Sequence, residues 1–574
     1  MAFQDFDQIS ERRKQERQRK IRQRIIAGSL SGVLLIGLIG AVMVTVVRDT
    51  KQHTNETPAG APKTPQKQVV RIQREIQEVC NTTMYKATCR THLEKAVAKN
   101  ASGFEKKDLL KLAVEEIQRE VDAVSQKIQT FHFKTRQEKA AFADCQKLIK
   151  DATNELEETV SRSRSDLATL ALNSNDMNNW LSAVMSYQET CIDGFPNGTL
   201  KDHVSKAFAT SKQLTSISLA MVNEITSFLS LFQVGASRRL LDDKTPHWVD
   251  RRLLKGADNK KPKPNATVAQ DGSGQFTTIS AALAAMPTSY TGRYVIYVKA
   301  GVYKEYPVVG SKMVNITMYG DGSQKTIITG SKSIAGGFQA LQTATFAVEG
   351  DGFMGKGLGF RNTAGPEGHQ ALAIRVQGDR AIFLNCRFEG YQGTVYTQTH
   401  RQFYRSCVIS GTLDFIFGDA AVVFQNCLIT VRKPMEDQRN VITSHSRSDP
   451  KERTGFVFQN CKIEPDEDLA RVKGTVESYL GRPSKEYART VIMQTLIEDF
   501  INPEGFTPFM GTYALKTLYY AEYNNSGPGS STAGRVKWPT YHVITKEIAQ
   551  TFTVRPFIDG DWIVAAGAPV HFDL

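Results

Sequence analysis

The sequence predicts a multidomain chain in which an N-terminal membrane anchor precedes an all-α bundle and then an all-β solenoid. Three observations carry this. Residues 25–47 form an apolar run without charge, and residues 70–232 repeat apolar side chains at three- and four-residue spacing. Beyond residue 380, an aromatic-x-x-Cys pattern recurs about once per coil of a stacked β structure. A chain of 574 residues is also too long for one hydrophobic core.

Ile25 to Val47 is 23 residues long, enough to span a bilayer. Eight Lys and Arg residues precede it in ERRKQERQRKIRQR. By the positive-inside rule, residues 1–24 stay cytoplasmic and the rest enters the secretory lumen. The competing reading is a cleaved signal peptide, but no small-residue cleavage site is evident. Sequons at Asn55, Asn81, Asn100, Asn197, Asn265, Asn315 and Asn524 all follow the span. The formal charge of +13 favours an acidic partner, and a lumenal fate argues against nucleic acid.

Residues 48–69 read as a polar linker, and residues 70–234 as a helical domain. Leu109, Leu110, Leu112, Val114, Ile117, Val121 and Val124 give one stretch an apolar stripe. Residues 144–163 and 200–232 repeat the pattern, so an antiparallel bundle is expected. Cys80 with Cys89 would close a hairpin, and Cys145 with Cys191 would tie two helices. No C-x2-C pair points to zinc. Residues 235–264 form a basic linker that carries RRLL twice, at 238–241 and 251–254, a candidate processing site.

From residue 265 to 574, short β-branched and aromatic runs alternate with Gly, Asn and Asp. FLNCRF, YRSCVI, FQNCLI and FQNCKI place cysteines at 386, 407, 427 and 461. A period near 20 without long helices predicts stacked β-coils; a β-sandwich offers no reason for the repeat. Cys407 and Cys427, one coil apart, are the expected pair for a disulfide in this domain.

Gln370, Gln392 and Asp414 are spaced by 22 residues, so they fall on one face of successive coils about 4.8 Å apart. Asp414 lies among Leu413, Phe415 and Ile416, and Arg482 is the cation that would hold it ionised. A carboxylate nucleophile with two amide donors suits acyl transfer. No G-x-S-x-G motif signals a serine esterase. The alternative is a stacked amide ladder with Asp414 in a buried ion pair.

GVYKEY (301–306), QALAIRV, GYQGTVY, GTLDFIFG and LGRPS, in that order, resemble plant pectin methylesterases, the pectinesterases of carbohydrate esterase family 8. DGSGQFTTISAAL and TLYYAEYNNSGPG extend the resemblance over about 265–574. The helical region with its four cysteines resembles the pectin methylesterase inhibitor domain, a four-helix bundle with two disulfides. The resemblance implies a right-handed parallel β-helix that hydrolyses the methyl ester of homogalacturonan without metal or cofactor. It implies acidic pectin as the partner, a protease that cuts at RRLL, and a mature domain in the cell wall. Carried over, Asp414 is the nucleophile, Arg482 orients it, and Gln370 and Gln392 form the anion hole. Substrate contacts fall to Gln370, Arg482, Ser484 and Phe415.

The sequence departs from the family around this site. The family's YQDT carries an acid/base Asp where this chain has Gly393, and its GRPW carries a sugar-stacking Trp where this chain has Ser484. Phe506 and Phe509 stand where a Trp-rich wall is expected, and Ser444-His445-Ser446-Arg447 replaces AQGR. Without an acid at 393 a slowed enzyme is expected, or a pectin-binding protein without turnover; a third expectation gives the function to the helical region, as an inhibitor of other pectinesterases or of its own catalytic domain. His445 is a candidate substitute proton carrier; the alternative is a packed strand histidine.

Overall fold

A computed structural model describes residues 65–99, 108–163, 167–232 and 262–574. The predicted span at 25–47 and both RRLL sequences lie outside these residues. Among the described residues, no helix is long and apolar enough to cross a membrane.

Among the described residues, seven helices come first: α1 (Pro65–Asn81), α2 (Lys86–Lys99), α3 (Asp108–Gln129), α4 (Arg136–Ser163), α5 (Leu167–Leu172), α6 (Ser174–Gly194) and α7 (Thr199–Phe232). The apolar stripe of α3 is its buried face, with Leu110, Ala113, Ile117, Val121, Val124 and Ile128 all inside. α3, α4, α6 and α7 close a four-helix bundle around these residues. Cys80–Cys89 and Cys145–Cys191 are bridged; the second ties α4 to α6. α6 is buried on nearly every side. Its serines and asparagines suit this, because its outer face packs on a second domain: Asn178 Nδ2 donates to Lys451 O at 3.1 Å, and Ser186 Oγ donates to Gln398 O at 3.1 Å.

The second domain is a parallel β-helix of three sheets with 11, 7 and 8 strands. The cysteine repeat explains its coil. Asn385, Ser406, Asn426 and Asn460 all have positive φ, between 51° and 55°, and each stands just before a cysteine. Asn visits this left-handed region at low cost, so it turns the chain from one sheet to the next. The aromatic of each repeat then stacks on that of the next coil. Phe383, Tyr404, Phe424 and Phe458 follow at centroid distances of 4.9, 4.9 and 4.7 Å. Phe424, fully buried in this column, is expected to cost about 3–5 kcal/mol when changed to Ala. A lower urea midpoint with an unchanged slope would register this.

The expected Cys407–Cys427 disulfide is absent: Cys386, Cys407, Cys427 and Cys461 are buried free thiols. Residues in one row of a solenoid point the same way, so their Cβ–Sγ bonds run parallel, and a bridge needs them to converge. Cys407 Sγ instead donates to Phe383 O, and Cys427 Sγ to Tyr404 O, at 3.4 and 3.5 Å.

The seven-stranded sheet faces the bundle. Its strands are β1 (Val308–Val309), β2 (Phe346–Val348), β3 (Ile374–Val376), β4 (Val395–Thr397), β5 (Leu413–Gly418), β6 (Asn440–His445) and β7 (Ser478–Pro483).

Candidate active site

Register sets a row across this sheet: Arg375, Tyr396, Phe417, Ser444 and Arg482 are successive neighbours on β3 to β7. Tyr396 and Phe417 stack at 4.4 Å with their ring planes nearly parallel. Asp414 reaches the same face by an irregularity. Between Leu413↔Val441 and Ile416↔Thr443, β5 uses three steps where β6 uses two. Such a bulge re-aims side chains. Asp414 has φ 48°, a conformation that non-glycine residues hold mainly where the surroundings enforce it.

Arg482 grips this carboxylate with its fork: Nε donates to Oδ1 at 2.9 Å and Nη2 to Oδ2 at 2.5 Å. Burial pushes the Asp414 carboxyl above the ordinary range, and Arg482 and the Ser444 hydroxyl pull the other way. Gln370 and Gln392 pair as an isolated parallel bridge, so they stack on adjacent coils. Gln392 Oε1 is buried with no hydrogen-bond partner among the described residues. Gly393 N donates to Leu413 O at 3.2 Å, which sets 392–393 beside 413–414. Gly393 has φ 70°; a Cβ there would meet the Phe417 ring at 3.3 Å and Leu372 at 3.5 Å.

A cavity of about 350 Å³ opens above these groups, and Asp414, Gln370, Ser484 and Phe509 contribute to its lining. Phe509 is 45% exposed and lies 4.7 Å from the Arg482 guanidinium. Two expected aromatic contacts are corrected. Phe415 is fully buried in the β-helix core, because the bulge that turns Asp414 outward turns its neighbour inward. Phe506 is likewise buried, packed on Tyr520 at 4.5 Å. His445 is not positioned to shuttle protons. It is fully buried, edge-on to Phe456, and its Nδ1 accepts from Arg447 N and Arg489 N at 3.3 Å each. Burial drives its pKa well down, so it is neutral.

The opposite wall of the cavity is the helical bundle, through Leu148 of α4 and Glu189, Thr190 and Asp193 of α6. Lys485, next to Ser484, binds Glu189 at 2.9 Å and Asp193 at 2.8 Å. Thr190 Oγ1 lies 3.3 Å from the Tyr396 hydroxyl. Sequence reading did not reach this clamp, because its partners stand 296 residues apart with no local pattern linking them. It also passed over Asp419, the residue that follows GTLDFIFG, and Glu452. Both are buried, and Asp419 lines the cavity.

The pectinesterase family profile matches residues 265–561, and the plant invertase/pectin methylesterase inhibitor profile matches residues 74–221. Two Arabidopsis thaliana relatives, a putative pectinesterase/pectinesterase inhibitor 45 and a probable pectinesterase/pectinesterase inhibitor 13, are each 47% identical over all of both chains. Among solved structures, a pectin methylesterase from carrot is 46% identical, with a TM-score of 0.54; the match covers 55% of this chain and all of that one.

Proposed function

This chain belongs to the pectinesterase family, and from that premise we propose that it hydrolyses methyl esters of homogalacturonan through Asp414. In this reading the glycine at 393 slows the reaction and the chain's own bundle blocks it. The observation that carries the reading is the Arg482 fork on Asp414, held in a bulge beside Gln370 and Gln392. Asp414 attacks the ester carbonyl, and the two glutamines stabilise the oxyanion. Methoxide takes a proton and leaves as methanol. Water then attacks the acyl-enzyme, releasing the galacturonate carboxylate, freeing Asp414 and giving up two protons. Ser484 and Phe509 border the sugar.

The lysine clamp supports a cis block, because Lys485, Glu189 and Asp193 close over the cavity that Asp414 lines. Release would follow a cut in the 235–264 linker at RRLL, after entry to the secretory route by the 25–47 anchor. The carrot chain, which corresponds to little more than the β-helix, supports independent folding of that part. A second reading, pectin binding without turnover, is favoured by Gly393 alone.

Methanol release from methylated pectin by the full chain, before and after cutting the linker, tests these readings. Faster release after cutting is expected, and Asp414→Asn should abolish it. Unchanged release in Asp414→Asn would sink the nucleophile assignment. Pectin binding without methanol, even in Gly393→Asp, would establish the second reading.

A further inference from the structure

The clamp across the cavity is asymmetric. On the bundle side each acid has a second cation of its own: Glu189 also binds Lys212 of α7, and Asp193 lies 3.7 Å from Lys201 of α7. Lys485 has no such reserve. Its Nζ meets Glu189 Oε2 at 2.9 Å and Asp193 Oδ2 at 2.8 Å, and among the described residues no carboxylate of its own domain pairs with it. When the bundle leaves, the acids keep a partner and the lysine loses both of its own.

Lys485 is also the one Lys or Arg among the described residues that line the cavity. Of the acids on its side, Asp414 is gripped by Arg482, and Asp419 accepts from the Thr454 hydroxyl at 2.6 Å. Lys485 follows Arg482 by three residues, which extended chain spans in at most about 10 Å. A polymer seated with one ester at Asp414 thus brings a neighbouring sugar within reach of the ammonium. An ammonium in a partly dry cleft is costly to leave unpaired, so an acidic polymer is the ligand it favours.

What α6 sets against the cleft has the chemistry of such a polymer. Glu189, Thr190 and Asp193 offer a carboxylate, a hydroxyl and a carboxylate, and the hydroxyl lies 3.3 Å from that of Tyr396. A galacturonan chain offers the same groups wherever its methyl esters are already gone. We infer that Lys485 is a substrate-binding residue that takes the free carboxylate of a galacturonate near the ester under attack, and that Glu189 and Asp193 occupy this carboxylate site while the bundle is in place. The inference rests on the esterase reading above, and it makes partly de-esterified polymer the preferred substrate.

The test uses the linker-cut β-helix part, separated from the bundle, in three forms: unmutated, Lys485→Gln and Lys485→Arg. Its substrates are a fully methylated and a partly de-esterified pectin. The unmutated form should have the higher kcat/KM on the partly de-esterified one. In Lys485→Gln the ratio between the two should fall about tenfold, through KM, the worth of one charge-assisted hydrogen bond. Lys485→Arg keeps the charge and should restore most of it. A lysine that serves only to dock the bundle would leave the ratio unchanged, and that result would overturn the inference. Independently of turnover, calorimetry should show an oligogalacturonate without methyl groups binding the unmutated form about tenfold more tightly than Lys485→Gln. Equal affinities would overturn the inference as well. Added bundle should compete with this oligogalacturonate; simultaneous binding of both would overturn the shared site. If no form releases methanol, the esterase reading fails, while the calorimetric comparison still decides the carboxylate site.

Discussion

Gly393→Asp is expected to raise methanol release by the linker-cut chain about 10²–10⁴-fold, the range general acid catalysis supplies. The backbone permits the change. Asp tolerates the left-handed region better than most residues, at a cost of about 1–2 kcal/mol. A Cβ at 393 requires the Phe417 ring, at 3.3 Å, to move by a few tenths of an ångström, and its contact with Leu372 is ordinary. The new carboxyl would stand one coil from Asp414, where Gly393 N already bonds Leu413 O. The gain should appear in kcat, since proton transfer acts on the transition state. A folded Gly393→Asp with unchanged kcat would show that position 393 has no part in the chemistry. Ser484→Trp, by contrast, would add a sugar platform in the cavity lining and should lower KM instead.

Arg482→Ala is expected to lower turnover at neutral pH about 10²–10³-fold and to move the acidic limb of the profile upward. Burial already holds the Asp414 carboxyl above its ordinary range, and Arg482 opposes that most strongly. Without the guanidinium the carboxyl rises further, so the nucleophile ionises only at higher pH. The sign is therefore fixed: activity lost at neutral pH returns in part on going alkaline. Removing one member of a buried pair also costs about 3–5 kcal/mol, so the thermal midpoint should drop. Arg482→Lys keeps the charge but not the two-pronged grip and should recover only part of the rate. An acidic limb that stays in place in Arg482→Ala would refute this account of Asp414.

The solenoid was legible because one short pattern, aromatic-x-x-Cys, maps onto one structural row. The same regularity exposed the Gln370–Gln392 pairing through its 22-residue spacing. What lay beyond reach was whatever breaks the period. The extra residue in β5 reverses the alternation between Asp414 and Phe415, so a substrate contact assigned to Phe415 became a core residue. The stacked thiols misled for the opposite reason: perfect repetition keeps side chains parallel, which prevents Cys407 from meeting Cys427. The cavity's outer wall comes from another domain, and no spacing in the sequence links Lys485 to Glu189.

The corner asparagines have a consequence for how such a chain acquires new chemistry. Each coil is pinned where a left-handed residue meets a cysteine, so segments between pins are free to lengthen without disturbing the stack. The interval from Cys427 to Cys461 is 34 residues against 20 or 21 for its predecessors. That surplus includes the turn carrying Arg447, Asp449 and Glu452, the groups gathered around Asp419. A longer excursion from one coil can thus bring new charged groups to the edge of the stack while every strand keeps its register. In a scaffold of this kind, loss of a side chain at one position and innovation in a distant loop are mechanically independent events.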